Sequence, residues 1–369
     1  MAGAFRISGC AFAALVSTSL VACGEPGPQA RAAEELGVVE ASELYEGRDG
    51  GLSAIAFGRS VWVYGDTVLT VEDEWGHNWH HNSFSVTQDV DARDGVGGFT
   101  ETLDPAGAPR HLIPPSPDEL SFNLAHWGED CEQEPCGARW AVWPGDPVWD
   151  AEAGRALIFY GLIYAEPGEF NFTSVGQSVA VWDVYEEPPR RPVIHPEAEH
   201  PDLLFLEGEP GWGVGSNIED GFLYTFSCDE DGLGHPCRLA RVAAAEVLER
   251  DAWRYWDGAS WSTEMDEADK LFEGAPIMEV SRSEHHGGWL AIYSSPFSRD
   301  VVARTAPALT GPWTRESVIY TAPGDDAPYD VVHHPEYAEE AGRVQYLTYS
   351  RPTTGWFGTE FPLVRVEFE

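Results

Sequence analysis

The stretch Asp49-Gly-Gly-Leu-Ser53, followed by Val61-Trp-Val-Tyr64, sets the pattern that decides the fold. A polar residue and a glycine-rich turn precede a short run of β-branched and aromatic residues, which is typical of a strand bounded by turns. The same order of features recurs four more times, at Trp143-Pro-Gly-Asp-Pro147 before Leu157-Ile-Phe-Tyr160, at Trp212-Gly-Val-Gly215 before Phe222-Leu-Tyr-Thr225, at Gly274-Ala-Pro-Ile277 before Trp289-Leu-Ala-Ile292, and at Pro328-Tyr-Asp-Val-Val332 before Val344-Gln-Tyr-Leu347. Five units of about 50–80 residues predict an all-β protein, a five-bladed β-propeller.

The recurrence also predicts where polar residues meet. In a propeller the innermost strand of each blade lines a central channel, and the loops that enter these strands share one mouth. We therefore expect the following residues to lie near one another: Asp49, Asp146, Trp212, Pro276 and Asp330. A two-sheet sandwich is the competing architecture, but it does not explain a polar residue ahead of each core strand. Helical periodicity is clear only over 240–250, where a short helix is predicted.

The amino terminus has the pattern of an exported protein. Arg6 is followed by an uncharged, largely apolar run over 7–22 and then by Cys23, which is typical of a secretory signal. The run is shorter than the roughly 20 apolar residues of a membrane span. Leu20-Val-Ala-Cys23 looks like a bacterial lipobox, which predicts lipid attachment at Cys23; an ordinary signal peptide with an incidental cysteine is the alternative.

These features divide the chain into three parts. We expect a signal peptide over 1–22, a lipidated tether over 23–36 that is rich in Pro, Gly, Ala and charge, and one propeller domain over 37–369. Gly24, rather than Asp, follows the cysteine; by resemblance to Gram-negative lipoproteins this indicates the outer membrane or cell surface, with the periplasmic face left open.

Charge excludes one class of partner. The chain has 22 Lys and Arg against 62 Asp and Glu, a formal net charge of −40. Such a surface repels phosphate backbones, which excludes nucleic acid. It also argues against direct contact with anionic lipid, so a membrane is expected to be reached through the lipid anchor only. The acidity itself fits solubility or a salty habitat, and we expect a monomer.

Four cysteines remain beyond the signal and the lipid site, in two close pairs: Cys131 with Cys136, and Cys228 with Cys237. Close pairs flanked by Gly and Pro in an exported protein predict disulfides that staple loops. A zinc site is the weaker alternative, because it needs shorter spacing and all four thiols in one place.

Several short motifs resemble a bacterial domain family long of unknown function, part of which is grouped with endo-D-arabinan hydrolases. They are Gly47-Arg-Asp-Gly-Gly-Leu-Ser53, Val61-Trp-Val-Tyr-Gly-Asp-Thr67, Trp143-Pro-Gly-Asp146, Ala303-Arg-Thr-Ala-Pro-Ala-Leu-Thr-Gly-Pro-Trp313, Tyr329-Asp-Val-Val-His-His-Pro-Glu336 and Gly342-Arg-Val-Gln-Tyr-Leu-Thr-Tyr349. The Thr310-Gly-Pro-Trp313 piece is also similar to five-bladed arabinanases and xylosidases. The resemblance covers nearly all of the mature chain and implies a five-bladed propeller with a furanoside-active site in some members.

Two aspartates are the candidate catalytic pair. Glycoside cleavage needs two carboxyl groups that flank one bond. Asp49 lies in a glycine-rich turn ahead of the first predicted inner strand, and Asp66 ends an apolar strand, where partial burial suits a proton donor. By resemblance, such enzymes keep catalytic acids in the first blade. The alternative is that both aspartates shape turns, and the acid and base roles stay unassigned.

Candidate substrate contacts are Asp146, His81, Asn82, Asp330 and His333. The segment Gly76-His-Asn-Trp-His-His-Asn82 could offer hydrogen bonds to a sugar, with an indole as a stacking face. Asp146 could instead form an Asp-Pro turn. The histidine spacing matches no metal pattern, so no metal or cofactor is expected.

Three functions are compatible with these residues. The first is a surface glycoside hydrolase acting on a furanose-containing, arabinan-like polysaccharide. The second is a propeller lectin or adhesin whose aspartates only bind sugar. The third is a scaffold whose acidic rim meets a protein. Carboxyl groups roughly 5–10 Å apart in an open cleft would favour hydrolysis.

Overall fold

The computed structural model describes residues 25–168, 171–232, 234–324 and 327–369. The predicted signal peptide and the predicted lipid site at Cys23 lie outside the described residues. Within those ranges, no helix combines the length and the apolar character needed to cross a membrane.

Short strands are the main regular structure of the molecule. In chain order they are β1 (Ala30–Val38), β2 (Tyr45–Ala56), β3 (Arg59–Leu69), β4 (Trp79–His80), β5 (Ser83–Thr87), β6 (Arg139–Asp150), β7 (Arg155–Ala165), β8 (Phe172–Trp182), β9 (Phe205–Leu206), β10 (Trp212–Glu219), β11 (Phe222–Ser227), β12 (Pro236–Ala243), β13 (Arg254–Trp256), β14 (Trp261–Ser262), β15 (Phe272–Glu273), β16 (Met278–Ser283), β17 (Gly288–Ser294), β18 (Asp300–Ala306), β19 (Ser317–Thr321), β20 (Tyr329–His333), β21 (Val344–Pro352), β22 (Thr359–Glu360) and β23 (Pro362–Phe368). One α-helix, α1 (Pro117–Ala125), joins the first blade to the second.

The strands form five antiparallel sheets, each of which is one blade. Blade 1 is β2-β3 with β4 and β5 on the outer side of β3, blade 2 is β6 to β9, and blade 3 is β10 to β14 with β15 paired to β12. Blade 4 is β16 to β19, and blade 5 is β20-β21-β23-β1 with β22 paired to β21. The first strands β2, β6, β10, β16 and β20 contact one another around a ring. The prediction of an all-β, five-bladed propeller is confirmed.

The ring closes by pairing the two ends of the chain. β1 lies antiparallel to β23, from Ala30 opposite Phe368 to Val38 opposite Pro362. The tether predicted over 23–36 is therefore too long, because its second half is the outer strand of blade 5. The segment has few apolar residues, which is why its composition predicts a flexible tether. β1 needs few of them because it is an edge strand with a mostly exposed surface.

The apolar runs in the sequence are the second strands of the blades, not the inner ones. Val61 and Tyr64 of β3 are almost fully buried, because a second strand has a strand on either side and a neighbouring blade on either face. The inner strands face the polar channel, and β2, β6, β10 and β20 carry Gly, Asp or both. Asp49 therefore lies within inner strand β2 rather than in a turn ahead of it.

The helix predicted over 240–250 is wrong. This segment continues β12 and then forms 3-10 turns at Ala244–Glu246 and Arg250–Ala252, because pairing with β11 fixes the alternating Leu, Ala and Val as a strand. The α-helix is instead α1. Ser116 caps it and Glu119 returns the bond to the cap in a capping box, with proline in the first turn.

The core consists of five layers, one between each pair of neighbouring blades. Between blades 5 and 1, for example, Trp62 and Tyr64 of β3 pack with Tyr346 of β21 and Phe361. Burial of such side chains contributes roughly 1.5–3 kcal/mol each to folding. The layers hold the blades rigidly and so fix the inner strands around the channel.

Candidate active site

The five residues expected to converge do converge. Asp49, Asp146, Trp212, Pro276 and Asp330 all line one cavity of about 470 Å³ at the mouth of the channel, hereafter the mouth cavity. Each comes from a different blade. Aromatic side chains complete the walls: Trp143, Phe159, Tyr160, Phe172 and Tyr329.

Asp49 has its carboxyl group held against blade 1 itself. The backbone N–H of Asp66 donates to this carboxyl group, and Gly65 leaves room for it, since a Cβ at Gly65 would overlap Asp49 Oδ1. Burial, followed by the charges of Asp330 and Asp66, raises the pKa of Asp49 well above its usual value. This carboxyl group therefore holds a proton more readily than an exposed aspartate.

Asp330 of β20 faces Asp49 from blade 5. Its Oδ2 accepts a hydrogen bond of 2.9 Å from the backbone N–H of Gly50, whereas its buried Oδ1 has no partner among the described residues. Burial raises its pKa to about 7. Its backbone lies in the left-handed region, with φ of 53°, an arrangement that costs energy outside glycine and is concentrated at functional sites.

Asp146 of β6 approaches from blade 2. A register shift between Pro144 and Pro147 turns this aspartate into the channel. Its Oδ2 accepts a 2.7 Å hydrogen bond from the N–H of Ser216 in blade 3. Burial raises the pKa of Asp146 to about 7.

Glu279 of β16 is a buried acid that the sequence analysis missed. Burial and then the charges of Asp146 and Glu336 raise its pKa well above the usual value. The signal was present in the sequence, as a single glutamate between the apolar residues Met278 and Val280.

Asp66 lies beside the mouth cavity rather than in its lining. Its Oδ1 accepts hydrogen bonds from the indole nitrogens of Trp79 at 3.2 Å and Trp143 at 3.3 Å, and His81 Nδ1 lies 3.5 Å away. These N–H donors suit an ionised carboxylate. Because the Asp66 backbone also binds the Asp49 carboxyl group, the two candidate catalytic residues are direct neighbours.

Tyr329 joins these acids at the rim. The residue is 59% exposed, and the neighbouring charge of Asp330 first, then partial burial and the charges of Asp49 and Asp66, raise its pKa. Its hydroxyl group therefore stays protonated and can donate into the acidic patch.

Two of the expected substrate contacts have other roles in the structure. Asn82 is buried; its Nδ2 donates to the carbonyl groups of Ile113 at 3.0 Å and Val142 at 2.8 Å, and its Oδ1 accepts from Ile113 N–H. The prediction of Asn82 as a substrate contact is therefore corrected: Asn82 links blade 1 to the first strand of blade 2. His333 is buried outside the lining of the mouth cavity, and its Nε2 lies 2.7 Å from Ser281 Oγ. Burial lowers the pKa of His333 to about 3.

His81 lines a second cavity, of about 570 Å³, on the other side of Asp66. We call it the histidine–tryptophan cavity, after lining residues Trp75, His77, Trp79, His81, His111, His126 and Trp127. α1 and the loop before β6 form its outer wall. Only part of this set is recognisable in the sequence, because the residues come from segments separated by up to about fifty positions and only folding brings them together.

Both predicted disulfides are formed, Cys131–Cys136 and Cys228–Cys237. Cys136 lines the histidine–tryptophan cavity and Cys228 the mouth cavity. In the described part of the chain, three potential metal ligands meet only at Cys131, Glu134 and Cys136, and this pair of thiols is consumed by its disulfide.

Comparison with solved structures finds several similar proteins. A protein from Bacteroides ovatus ATCC 8483 described as a candidate hydrolase is similar at 16% identity and a TM-score of 0.58, over 90% of this chain and 87% of that one. The catalytic domain of the Coprinopsis cinerea GH62 alpha-L-arabinofuranosidase is similar at 12% identity and a TM-score of 0.46, over 93% and 98%. A glycosyl hydrolase from Bacteroides ovatus is similar at 10% identity and a TM-score of 0.47, over 93% and 94%.

Comparison of sequences matches a smaller part of the chain. No curated protein sequence matches the chain. Residues 177–354, from β8 in blade 2 to the end of β21 in blade 5, match a domain of unknown function, DUF4185. This match confirms the resemblance of the chain to a propeller domain family of unknown function.

Proposed function

We propose that the protein is a glycoside hydrolase that cleaves a furanose-containing, arabinan-like polysaccharide at the mouth of the propeller. One observation carries the proposal: Asp49, Asp146 and Asp330, from three different blades, line a single aromatic-walled cavity, and Asp66 directly adjoins Asp49. Paired carboxyl groups in different environments are what acid and base roles in glycoside cleavage require.

The two environments support an assignment of roles. Asp49, with its raised pKa, is suited to donate a proton to the leaving oxygen as general acid. Asp66, surrounded by the N–H groups of Trp79 and Trp143, is suited to act as the ionised base or nucleophile. Asp330 acts on the acid through its charge, because that charge raises the pKa of Asp49.

The cavity walls suit a polysaccharide. Trp143 and Phe172 pack edge to face, with ring centroids 4.9 Å apart, and Trp212 lies across the mouth. Aromatic faces of this kind stack on sugar rings while a few polar groups set orientation. Outside the cavity, the 70% exposed Trp356 lies against Trp79 and extends the aromatic surface.

The test is reducing-end release from a panel of arabinans and other furanose polysaccharides. We expect activity on one polymer, with Asp49→Asn and Asp66→Asn each lowering kcat by roughly 10²–10⁴-fold. Asp150→Asn is the matched control, because it changes a buried aspartate that pairs with Arg155 at the far end of β6 and should leave kcat unchanged.

Each other outcome has a definite meaning. Activity that survives both substitutions would leave an enzyme but exclude this pair. If no polysaccharide in the panel releases reducing ends but sugar is still bound, the protein is a lectin or adhesin rather than a hydrolase.

We also propose that a lipid on Cys23 holds the propeller on the outer membrane or cell surface, where it would meet such polymers. The lipobox-like Leu20-Val-Ala-Cys23 supports this. Cys23→Ala should move the protein from the membrane fraction to the soluble fraction and abolish labelling by a radioactive fatty acid. Unchanged membrane association of this variant would contradict the anchor.

A further inference from the structure

The histidine–tryptophan cavity contains a cationic side chain that pairs with no acidic side chain among the described residues. Arg139 is the only Lys or Arg among the described residues that line either cavity. Its guanidinium carbon lies 4.6 Å from the centroid of the Trp79 ring, and its buried Nε has no hydrogen-bond partner in the described part of the chain. The protein has 62 acidic and 22 basic side chains, yet this guanidinium group makes no ion pair with a described residue. It can therefore bind an anion.

Unpartnered imidazole nitrogens surround the same space. His77 is 7% exposed, its buried Nε2 has no hydrogen-bond partner among the described residues, and its ring lies 4.0 Å from that of Trp127. His111 stacks on His80 with ring centroids 3.8 Å apart. The cavity thus offers imidazole nitrogens and a guanidinium group, whereas Glu129, the one carboxylate among the described residues of its lining, is exposed at the rim.

The cavity is joined to the acidic site through a shared wall. Trp79 and His81 line the histidine–tryptophan cavity, and both reach Asp66 Oδ1, as does Trp143 from the mouth cavity. A glycan bound across this wall would place one residue in each cavity, with Asp66 between them.

We propose that the histidine–tryptophan cavity binds an anionic group carried by the glycan, either the carboxylate of a uronic acid or a phosphate ester, through Arg139. The planar guanidinium group binds carboxylates and phosphates by two parallel hydrogen bonds. A neutral sugar would leave those donors without a charged acceptor in a partly dry cavity. Only the placement of this group next to the cleaved bond rests on the proposed hydrolase; the binding itself does not.

Binding is expected to strengthen as pH falls. Burial lowers the pKa of His77, His81 and His111, with Asp73 opposing it at His77, Asp66 opposing it and Arg139 reinforcing it at His81, and neighbouring histidines reinforcing it at His111. A bound anion stabilises the imidazolium forms, so it raises these pKa values and proton uptake accompanies binding. Affinity should therefore increase from pH 8 towards pH 6, while the ligand carboxylate stays ionised.

The experiment is calorimetric titration of the full protein in an Asp49→Asn background, which prevents turnover. The probes are an oligogalacturonate, a neutral galacto-oligosaccharide of equal length, and glucose 6-phosphate. We expect an anionic probe to bind more tightly than the neutral one, and Arg139→Gln to weaken that probe roughly 10–100-fold without affecting the neutral one. Arg139→Lys should retain part of the affinity.

Arg59→Gln is the matched control. Arg59 also stacks on an aromatic ring, 3.9 Å from the Tyr185 centroid, and its buried Nε likewise has no hydrogen-bond partner within the described ranges, but it lies at the opposite end of β3 from Asp66. Arg59→Gln should leave the affinities for all three probes unchanged. Tighter binding of the oligogalacturonate identifies a uronic acid, and tighter binding of the sugar phosphate a phosphate ester.

Three results would overturn the proposal: equal binding of charged and neutral probes, no binding of either charged probe, or unaltered affinity in Arg139→Gln. A failure of the proposed hydrolase would give a different result. No polymer would be cleaved, but an anionic probe would still bind more tightly than the neutral one and would still depend on Arg139.

Discussion

At the scale of the residue, the site depends on buried or half-buried acids that are bonded to backbone N–H groups. Asp49, Asp146 and Asp330 each accept such a bond from a neighbouring residue or blade. Burial raises their pKa values, whereas these bonds oppose the rise. The acids are therefore ordered in position without being forced to ionise, which is the state that a proton donor needs.

One consequence is a pH-dependent stability difference at Asp146. Its folded pKa of about 7 lies above the usual aspartate value of 3.8, so the folded state binds the proton more tightly and this group destabilises the fold progressively as pH rises from about 4 to about 7. Asp146→Asn removes that effect and can still accept from Ser216. The variant should therefore gain stability relative to the parent protein as pH rises through this window.

Chemical denaturation at pH 4.5 and pH 8 measures the difference in free energy of unfolding between the two proteins. Asp266→Asn, at an exposed aspartate, is the control and should show the same difference at both pH values. The quantity to compare is the free energy of unfolding of Asp146→Asn minus that of the parent protein. If this difference is no larger at pH 8 than at pH 4.5, Asp146 is not a buried acid with a raised pKa.

At the scale of the element, the strand with the least distinctive sequence closes the ring. β1 pairs with β23 along its whole length, although most of its side chains are exposed. Its contribution comes from ladder hydrogen bonds and from covering the edge that β23 would otherwise present to solvent.

Deletion of residues 25–38 should therefore lower Tm by several degrees, since each kcal/mol lost shifts Tm by roughly 1–2 °C in a chain of this size. Thermal unfolding followed by circular dichroism measures the loss. A synthetic peptide of residues 25–38 added in excess should restore part of it by pairing with β23. An unchanged Tm in the deleted protein would mean that β1 does not contribute to closure.

At the scale of the whole molecule, the net charge of −40 acts on a compact body whose blades must pack closely. Like charges repel across the surface and destabilise the folded state, and salt screens this repulsion because the Debye length falls to about 10 Å at 0.1 M.

Tm should therefore rise by several degrees between roughly 0.02 M and 0.3 M NaCl, as screening increases. KCl at equal ionic strength should give the same rise, which separates screening from binding of one ion. A Tm that stays constant or falls with salt would show that ion pairs, such as Arg191 with Glu119 and Asp202, outweigh the repulsion.

Much of the architecture follows from the sequence alone. Five repeats of a polar, glycine-rich segment and an apolar run predicted the number of blades, and the two cysteine pairs predicted both disulfides. These features are local, since a second strand buried on both faces must be apolar and a short disulfide loop has its partners near in sequence. The convergence of five residues at one mouth followed from the repeat, because a closed ring places equivalent positions together.

Tertiary structure decided the rest. Only pairing with β23 makes a strand of residues 30–38, and only pairing with β11 prevents a helix after residue 240, since strand pairing is a long-range interaction that local composition does not record. Likewise, the raised pKa values of Asp146 and Asp330 and the meeting of Arg139 with four histidines arise from burial and from contacts between segments far apart in the chain. The sequence by itself determined the kind of fold and the acids at its mouth, whereas the tertiary structure decided their environments and brought the second cavity into existence.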